Sequence, residues 1–319
     1  MKICIYGAGA TGCTIGAKFF KAGADITLIG RGEHLHKIKE NGLQFISKNS
    51  EENIKIPCTD FPSSLPKQDY IIIATKAYNI PEIAPNIPQL LHDRSTIIPA
   101  CNGVPWWFLQ GLEGPLKDHR IKALDPKGII EKHVDYNRII GGIFYMAASI
   151  VKAGVVSNFE GPRFIIGAPD RNITKMVSTL GSLMEKAGFK NPVTDNIRGA
   201  IWLKLCWNVA FNPLSVIYEK NCGEMTTNPE IKTLASNIME EMRLIANKLN
   251  IKLNLDIEKH IGLTSDTSSF KPSMLQDYEK GRRMEVEAII GSVYEIANML
   301  NLETPAIKRI FNMLLDKAA

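Results

Sequence analysis

The apolar positions of the chain follow two different periods, one on each side of residue 195. Before it, the runs at 2–6, 25–29 and 69–74 have the length and composition of buried strands, and they alternate with helical patterns at 14–22 and 33–41. Beyond it only helices are predicted, at about 197–218, 229–249, 272–280, 282–300 and 305–317. An alternating half followed by a helical half predicts an α/β protein with two domains, residues 1–195 and 196–319.

Weaker patterns fill the rest of the first half. They predict strands at 43–46, 54–57, 96–100, 139–145, 155–158 and 164–166, a hairpin tip at 48–50, a turn at 161–162 and a helix at 172–187. The segment 116–137 has no clear period, and no element is predicted there.

The predicted helix 197–218 poses an energetic problem. Its stretch from Trp202 to Pro213 is almost wholly apolar, which is typical of a buried helix. Lys204, Asn208 and Asn212 nevertheless recur at every fourth position, so they share one face. A buried amide without a partner costs roughly 1–3 kcal/mol, and an unpaired ammonium costs more. The stripe therefore faces either an internal polar network or a small polar ligand, and the pattern alone leaves both open.

A glycine motif, Gly-x-Gly-x-x-Gly, follows the first predicted strand, and a helix and a second strand come next. In this context the first glycine permits a tight turn, the second lets the backbone approach a pyrophosphate, and the third lets the helix pack on the strand. The N-terminal domain is therefore predicted to be a Rossmann-type doubly wound sheet that binds a dinucleotide at a helix N-terminus. The candidate cofactor-binding residues are Gly7, Ala8, Gly9, Ala10, Thr11 and Gly12.

The tip of the second strand indicates which dinucleotide binds. NAD sites usually place Asp or Glu there to bind the ribose 2′-hydroxyl, but this chain has Ile29, Gly30 and Arg31. A guanidinium can bind a 2′-phosphate through its charge and a forked hydrogen bond. Arg31 therefore favours NADP(H), and the alternative is an ordinary solvated arginine.

Four further residues are candidates because of their positions. Lys76 and Asn102 each come just after a predicted strand, where ligands bind in open α/β sheets; the alternatives are a solvated lysine and a turn-forming Asn-Gly pair. Ser273 lies near a predicted helix N-terminus, and Glu285 is expected one turn into the next helix. A carboxylate that met Lys204 would keep its ammonium charged while buried; the alternative for Glu285 is a solvated acid that complements a helix dipole.

Composition excludes several classes of protein. The net charge of +5 over 319 residues comes without a dense basic run, so nothing indicates a nucleic-acid or membrane partner. The six cysteines are scattered, which argues against a disulfide framework and against structural zinc, and no His/Cys/carboxylate cluster has metal-ligand spacing. With no signal peptide and no apolar run near the ~20 residues of a membrane span, we expect a soluble cytoplasmic protein. The oligomeric state, including a homodimer, stays open.

Taken together, these motifs resemble the ketopantoate reductase (2-dehydropantoate 2-reductase) family over nearly the whole chain. The resemblance implies NADPH-dependent reduction of 2-dehydropantoate to pantoate, a step in pantothenate and coenzyme A biosynthesis. It rests on the glycine motif, Arg31, Lys76, Asn102-Gly103, the Lys204-x3-Asn208-x3-Asn212-Pro213 helix and the segment from Ser273 to Glu285. The roles it implies are Arg31 on the 2′-phosphate, Lys76 and Asn102 at the nicotinamide side, Lys204 as the general acid, Asn208, Asn212 and Ser273 on the substrate, and Glu285 in support of the lysine and the substrate.

Three features depart from that family. Pro272 stands where its best-known members have a serine, Ile290 stands where the family has an asparagine, and the segment with Trp106 and Trp107 is unlike theirs. The two tryptophans either roof the cofactor cleft or belong to a core. These departures leave the implied hydride chemistry intact and concern the far end of the substrate. Two alternatives therefore stay open, a reductase of another small 2-oxo acid and a non-catalytic NADP(H)-binding sensor.

Overall fold

The computed structural model describes residues 1–158, 163–265 and 269–318. The chain divides into two compact units, which we call unit 1 (Met1–Cys101 with Ile129–Ile197) and unit 2 (Asn102–Gly128 with Arg198–Ala319). This grouping concerns the backbone, and the division into domains at residue 195 stays a prediction. The predicted turn at 161–162 lies outside the described residues.

Unit 1 is built on a five-stranded parallel sheet with the order β5-β2-β1-β6-β7. The chain winds outward from β1 in one direction and then in the other, so the sheet is doubly wound, with its switch point between β1 and β6. A four-stranded sheet, β4-β3-β10-β9, and a β11-β8 pair complete the unit. The strands are β1 (Lys2–Tyr6), β2 (Asp25–Ile29), β3 (Leu43–Ser47), β4 (Glu51–Ile54), β5 (Cys58–Thr59), β6 (Gln68–Ile73), β7 (Leu91–Pro99), β8 (Gly141–Tyr145), β9 (Ala148–Lys152), β10 (Val155–Asn158) and β11 (Arg163–Gly167).

The doubly wound N-terminal sheet that the sequence predicts is confirmed, but several strands differ from the prediction. The two-residue strand β5 was not predicted, and β7 begins five residues before the predicted strand 96–100. The predicted strand 54–57 is β4, which lies three residues earlier and buries only Ile54, so its apolar pattern is hidden. The strand β9 was missed because it lies at a sheet edge and its residues Ile150 and Val151 are exposed. The helices of unit 1 are α1 (Ala10–Lys21), α2 (Gly32–Asn41), α3 (Ile80–Ile83), α4 (Ile129–His133) and α5 (Lys175–Lys186).

The core of unit 1 lies where α1 and α5 bury their apolar sides. Phe19 on α1 meets Phe189 edge to face at 6.0 Å between ring centroids, and Phe164 of β11 meets the same ring at 5.9 Å. Phe144 of β8 stacks on Phe164 at 3.8 Å. Such aromatic contacts stabilise beyond the area that they bury, and they fix α1, which carries the glycine motif at its first turn.

Unit 2 is helical, which confirms the second half of the fold prediction. The sequence missed α7 and α9, although Asn221 and Glu224 form a capping box that marks the start of α7. The predicted helix 282–300 begins late, with a π-helical turn over Glu287–Gly291. The helices are α6 (Ile197–Tyr218), α7 (Cys222–Thr227), α8 (Pro229–Lys248), α9 (Ile257–Ser265), α10 (Ser273–Glu279), α11 (Ser292–Met299) and α12 (Pro305–Ala318).

The central helix of unit 2 is α6. It is the one helix among the described residues that is long and apolar enough to cross a membrane, yet most of it is buried inside the protein, as in a core helix. Trp202 is fully buried, stacks on Phe108 at 5.3 Å and donates a hydrogen bond from Nε1 to the carbonyl of Met242. Trp106 and Trp107 are also buried. The two side chains therefore belong to a core, which was one of the two alternatives that the sequence left open for them.

The segment 102–128, for which the sequence predicted no helix or strand, is held to the helices of unit 2 through its backbone groups. Arg198 on α6 donates from its guanidinium to the carbonyls of Phe108 and Gln110. The carboxylate of Glu295 on α11 accepts from the backbone N–H groups of Lys122 and Ala123 at 2.8 and 2.7 Å. Because charged side chains satisfy these backbone groups, the segment is ordered without regular structure of its own.

Candidate functional site

The glycine motif forms the turn between β1 and α1 in unit 1. The N–H groups of Gly7 and Ala8 both donate to the carbonyl of Ile29, at 2.8 and 3.1 Å, so the turn is tied to the end of β2. Gly9 is the N-cap of α1 and has no side chain to cap it. The first N–H groups of a helix have no intrahelical partners, and together with the helix dipole they favour an anion at this point.

The three glycines are needed for three different reasons. Gly7 has φ +118°, which L side chains rarely adopt, and a Cβ there would lie 2.7 Å from the backbone of Ala74 and Thr75. A Cβ at Gly12 would overlap the carbonyl oxygen of Gly7. A Cβ at Gly9 would meet no atom of the described residues within 4 Å, and its φ of −83° suits any residue. Neither conformation nor packing requires Gly9, so open space for a ligand is the remaining reason, and the turn fits a dinucleotide pyrophosphate.

Arg31 lies at the tip of β2, as the sequence predicts, and it has a partner. Its Nη1 and Nη2 atoms donate to the two carboxylate oxygens of Glu82 on α3, at 2.6 and 3.4 Å. Both side chains are exposed, by 74% for Arg31 and 57% for Glu82. Sequence reasoning missed Glu82 because the two residues are 51 positions apart, and no local pattern connects them.

Lys76 lies three residues beyond the end of β6, in extended backbone that leads into a single 3₁₀ turn. Nearby, the thiol of Cys101 donates to the carbonyls of Ile73 and Thr75 at 3.5 and 3.2 Å, which links the ends of β6 and β7. The structure therefore places Lys76 at the carboxyl edge of the parallel sheet, in the same unit as the glycine turn and Arg31.

The other candidates lie in unit 2, and Lys204 has the most unusual environment among them. It sits on α6, part-buried, and its Nζ donates to Oδ1 of Asn102 at 2.9 Å. Burial lowers the pKa of Lys204 from its ordinary value of 10.5 to about 8, and the negative charge of Glu285 partly opposes that change. An amine with a pKa of about 8 is charged at neutral pH but gives up its proton far more readily than a surface lysine.

Glu285 is buried with 5% of its surface exposed, and its position corrects the sequence prediction. It was expected one turn into a helix, but residues 282–285 are not helical. The Glu285 carbonyl instead accepts the N–H of Ile289, so this residue stands where the helix begins. The sequence pattern could not show this, because an apolar period does not fix the residue at which a helix begins.

The π-helical turn after Glu285 also positions Asn102. The Val104 N–H donates to the carbonyl of Ala288 at 2.8 Å, and a Cβ on Gly103 would overlap that same carbonyl oxygen. Gly103 has φ +86°, so its lack of a side chain serves both the turn and the close approach. Asn102, whose Oδ1 accepts the hydrogen bond from Lys204, is thereby held by a backbone bond two residues further along the chain.

The two asparagines of α6 form a second group, with α10. Asn212 Nδ2 donates to Asn208 Oδ1 at 3.2 Å, while Asn212 Oδ1 accepts from the Ser273 hydroxyl at 3.4 Å and from the Met274 N–H at 3.3 Å. Asn212 is 2% exposed and Asn208 is 6% exposed. Ser273 is the first residue of α10, as expected. The sequence left two alternatives for the polar stripe, an internal network or a ligand site. An internal hydrogen-bond network describes Asn212 and its contacts, whereas the ammonium of Lys204 lies in a different environment that includes the charge of Glu285.

Trp207 is a neighbour that sequence reasoning did not single out. It lies one helical turn after Lys204, beside Asn208, so its side chain lies next to that of Lys204 on the helix surface. Its Nε1 donates to the hydroxyl of Thr264 on α9 at 2.7 Å, and its ring packs against Phe211 at 5.4 Å. The indole is thus held in one orientation next to the charged end of the stripe.

Comparison with known proteins gives a family and a set of relatives. Residues 3–171 match the family described as Ketopantoate reductase PanE/ApbA, and residues 196–318 match its C-terminal part. A protein of Mesorhizobium japonicum named 2-dehydropantoate 2-reductase is 34% identical over 315 residues, which cover 98% of this chain and 97% of that protein. A protein of the same name from Pyrococcus horikoshii is 31% identical, with coverage of 96% and 93%.

The solved structures that are similar to this chain include two that match it over nearly its whole length. A crystal structure from Ralstonia solanacearum MolK2, which bears a provisional ketopantoate reductase name, has a TM-score of 0.92 and 28% identity, and covers 99% of this chain and 97% of that one. A D-mandelate dehydrogenase solved with NADH and anilino(oxo)acetate has a TM-score of 0.85 and 25% identity, with coverage of 100% and 98%. Both family segments, the curated relatives and the solved fold agree, and this chain belongs to the ketopantoate reductase family.

Proposed function

We propose that the protein is a cytoplasmic oxidoreductase that reduces 2-dehydropantoate to pantoate with NADPH, using Lys204 as the general acid. The observation that carries the proposal is the environment of Lys204, a part-buried ammonium with a pKa of about 8 that is hydrogen-bonded to Asn102. The relatives that bear the name 2-dehydropantoate 2-reductase, at up to 34% identity over nearly the full chain, support the choice of substrate.

The glycine turn of unit 1 holds the dinucleotide pyrophosphate in this proposal. The free N–H groups at the start of α1 bind the phosphates, and Gly9 leaves the space in which they sit. Arg31 binds the 2′-phosphate, and Lys76 and Asn102 are assigned to the nicotinamide side. When bound, the reduced nicotinamide supplies the hydride.

Lys204 supplies the proton. Reduction of a ketone builds negative charge on its oxygen, and a nearby ammonium stabilises that charge and then donates a proton to the same oxygen. A donor works best when its pKa lies near the working pH, which fits the pKa of about 8 that burial gives to Lys204. Glu285 keeps the lysine charged at neutral pH, because its negative charge raises the lysine pKa against the effect of burial.

Asn208 and Ser273 are assigned to the polar groups of the substrate, and Asn212 is assigned to holding them there. An amide orients a hydroxyl or a carboxylate without acting as a competing acid. Asn212 bonds to both of the other side chains and is itself nearly fully buried, which suits a substrate-positioning role.

A second candidate is a 2-oxo acid with a larger substituent. Trp207 presents a fixed indole beside Lys204, and the D-mandelate dehydrogenase that shares the fold was solved with anilino(oxo)acetate, which carries an aromatic ring. The sequence also departs from the family at Pro272 and Ile290, residues assigned to the far end of the substrate. Both candidates use the same acid and the same cofactor.

The test is a panel of 2-oxo acids with NADPH and with NADH, followed by the loss of nicotinamide absorbance. If the proposed function is correct, 2-dehydropantoate should give the highest kcat/KM of the panel. If the second candidate is correct, phenylglyoxylate should give the highest kcat/KM. The absence of oxidation with every member of the panel, despite measurable NADPH binding, would refute the reductase and favour a non-catalytic sensor.

A further inference from the structure

The guanidinium that is assigned to the 2′-phosphate is engaged by a carboxylate of the same unit. Arg31 follows β2 and Glu82 lies on α3, which follows β6, and the two side chains meet in a forked ion pair. Both oxygens of Glu82 are used, so the carboxylate faces the edge of the guanidinium that a phosphate would also need. Anything that binds this edge of Arg31 must therefore either displace Glu82 or lie beside it.

The same corner includes the end of β1. The hydroxyl of Tyr6 is hydrogen-bonded to Asn86, and burial raises the pKa of Tyr6 while the charges of Glu82 and Arg31 act on it in opposite directions. The ion pair therefore lies close to the carboxyl ends of β1 and β2. In a doubly wound nucleotide-binding sheet this is the region that receives the adenosine ribose.

Charge predicts opposite effects of Glu82 on the two cofactors. An acid near the tip of β2 usually accepts the ribose 2′-hydroxyl of NAD. The tip itself lacks an acid, and Glu82 supplies one from another part of unit 1. A 2′-phosphate carries about −1.5 to −2 charge at neutral pH, so the same carboxylate repels NADP(H) while Arg31 attracts it.

We propose that Glu82 is a specificity-determining residue that lowers the preference of this enzyme for NADPH over NADH. It does so by occupying Arg31 and by offering an acceptor to the ribose 2′-hydroxyl. The inference rests on the proposed function only in that the turn binds a nicotinamide dinucleotide. It predicts an enzyme that uses both cofactors, with a balance that a single charge can shift.

The expected effect follows from Coulomb's law. Two unit charges about 4 Å apart change a binding constant about fivefold in water, and a phosphate of nearly two charges raises this to about 30-fold. Replacing Glu82 by glutamine removes the charge but keeps the shape. The affinity for a 2′-phosphorylated ligand should therefore rise about 5- to 30-fold, while the affinity for the ligand without that phosphate should not rise.

The test is calorimetric binding of 2′,5′-ADP and of 5′-ADP to the unaltered protein and to Glu82→Gln. Neither ligand carries a nicotinamide ring, so the result does not depend on turnover or on the identity of the 2-oxo acid. A matched control is Glu52→Gln, which removes another ion-paired glutamate of unit 1, 35% exposed against 57% for Glu82. Its partner Lys21 ends α1, about 16 Å along the helix from the glycine turn.

The measured quantity is the ratio of the affinity for 2′,5′-ADP to the affinity for 5′-ADP. The proposal expects the increase in this ratio to be at least about threefold larger for Glu82→Gln than for Glu52→Gln. A smaller difference would overturn it, even if the enzyme proves to be a reductase. If neither ligand bound the unaltered protein, nucleotide binding itself would fail, and with it both the proposed function and this inference. Arg31→Ala should abolish the gain when combined with Glu82→Gln, because the phosphate then has no guanidinium to bind.

Discussion

The pH dependence of ketone reduction offers a quantitative test of the proposed acid. If Lys204 donates the proton, only its charged form supports reduction, and burial lowers the pKa of Lys204 to about 8. The residue is then about 90% charged at pH 7 and about 10% charged at pH 9. The kcat/KM for reduction should therefore be flat below about pH 7 and fall about tenfold between pH 7 and pH 9.

Glu285→Gln is the informative perturbation. The negative charge of Glu285 raises the pKa of Lys204 against burial, so its removal should move the midpoint of the profile to lower pH. At pH 7 the variant should then be less active in reduction. In the reverse direction, oxidation of the hydroxy acid needs the neutral amine of Lys204 as a base. The kcat/KM for oxidation should therefore rise with pH, and its midpoint should also move to lower pH in Glu285→Gln.

The assay is the loss of nicotinamide absorbance at low substrate concentration, from pH 5.5 to pH 9.5 at constant ionic strength. Asp277→Asn is a suitable control, because it removes another buried acid of unit 2, one that forms an ion pair with Arg282 at 2.7 Å. A flat profile between pH 7 and pH 9 would refute the assignment of Lys204. An identical midpoint in Glu285→Gln would refute the role of Glu285.

Three further predictions concern the nucleotide turn and the stability of each unit. Gly9→Ala should leave the melting temperature nearly unchanged but weaken NADPH binding more than about tenfold. Gly12→Ala should lower both the melting temperature and the NADPH affinity, because only its Cβ would clash with the protein itself. Similar losses of stability in the two variants would contradict this account. Burial lowers the pKa of His34, so below about pH 6.5 the unfolded chain binds the proton more readily and stability is lost as pH falls; denaturant titrations should show a shallower acid-side loss in His34→Gln. Glu241 accepts the N–H groups of Ala306 and Ile307 at the start of α12, and Glu241→Ala should cost about 2–4 kcal/mol of unfolding free energy without changing NADPH affinity; a cost under about 1 kcal/mol would contradict the capping role.

The sequence predicted most of the fold because its strongest signals are local. Buried parallel strands are continuous apolar runs and amphipathic helices have a clear period, so β1, β6 and α6 lie within a residue or two of where the patterns place them. Elements with little apolar contrast were missed or displaced. The exposed edge strand β9 and the polar strand β4 have no alternation to detect.

The candidate site likewise has features that the sequence predicted and features that it did not. The spacing of Lys204, Asn208 and Asn212 on one helix face is a local property, and it pointed to a polar stripe in advance. What each side chain bonds to is not local. The Lys204 bond to Asn102 and the Arg31 pair with Glu82 join residues 102 and 51 positions apart. Only the folded chain reveals that one arginine already has an acidic partner.

The proton donor is the central claim, and Lys204→Ala tests it most directly when turnover and cofactor binding are measured on the same sample. The account predicts that kcat for 2-dehydropantoate falls by about 10²–10⁴-fold, while the NADPH dissociation constant, from nicotinamide fluorescence, stays within about threefold of the unaltered protein. Turnover within about tenfold of the unaltered enzyme, at saturating substrate and with intact cofactor binding, would contradict the assignment of Lys204 as the acid.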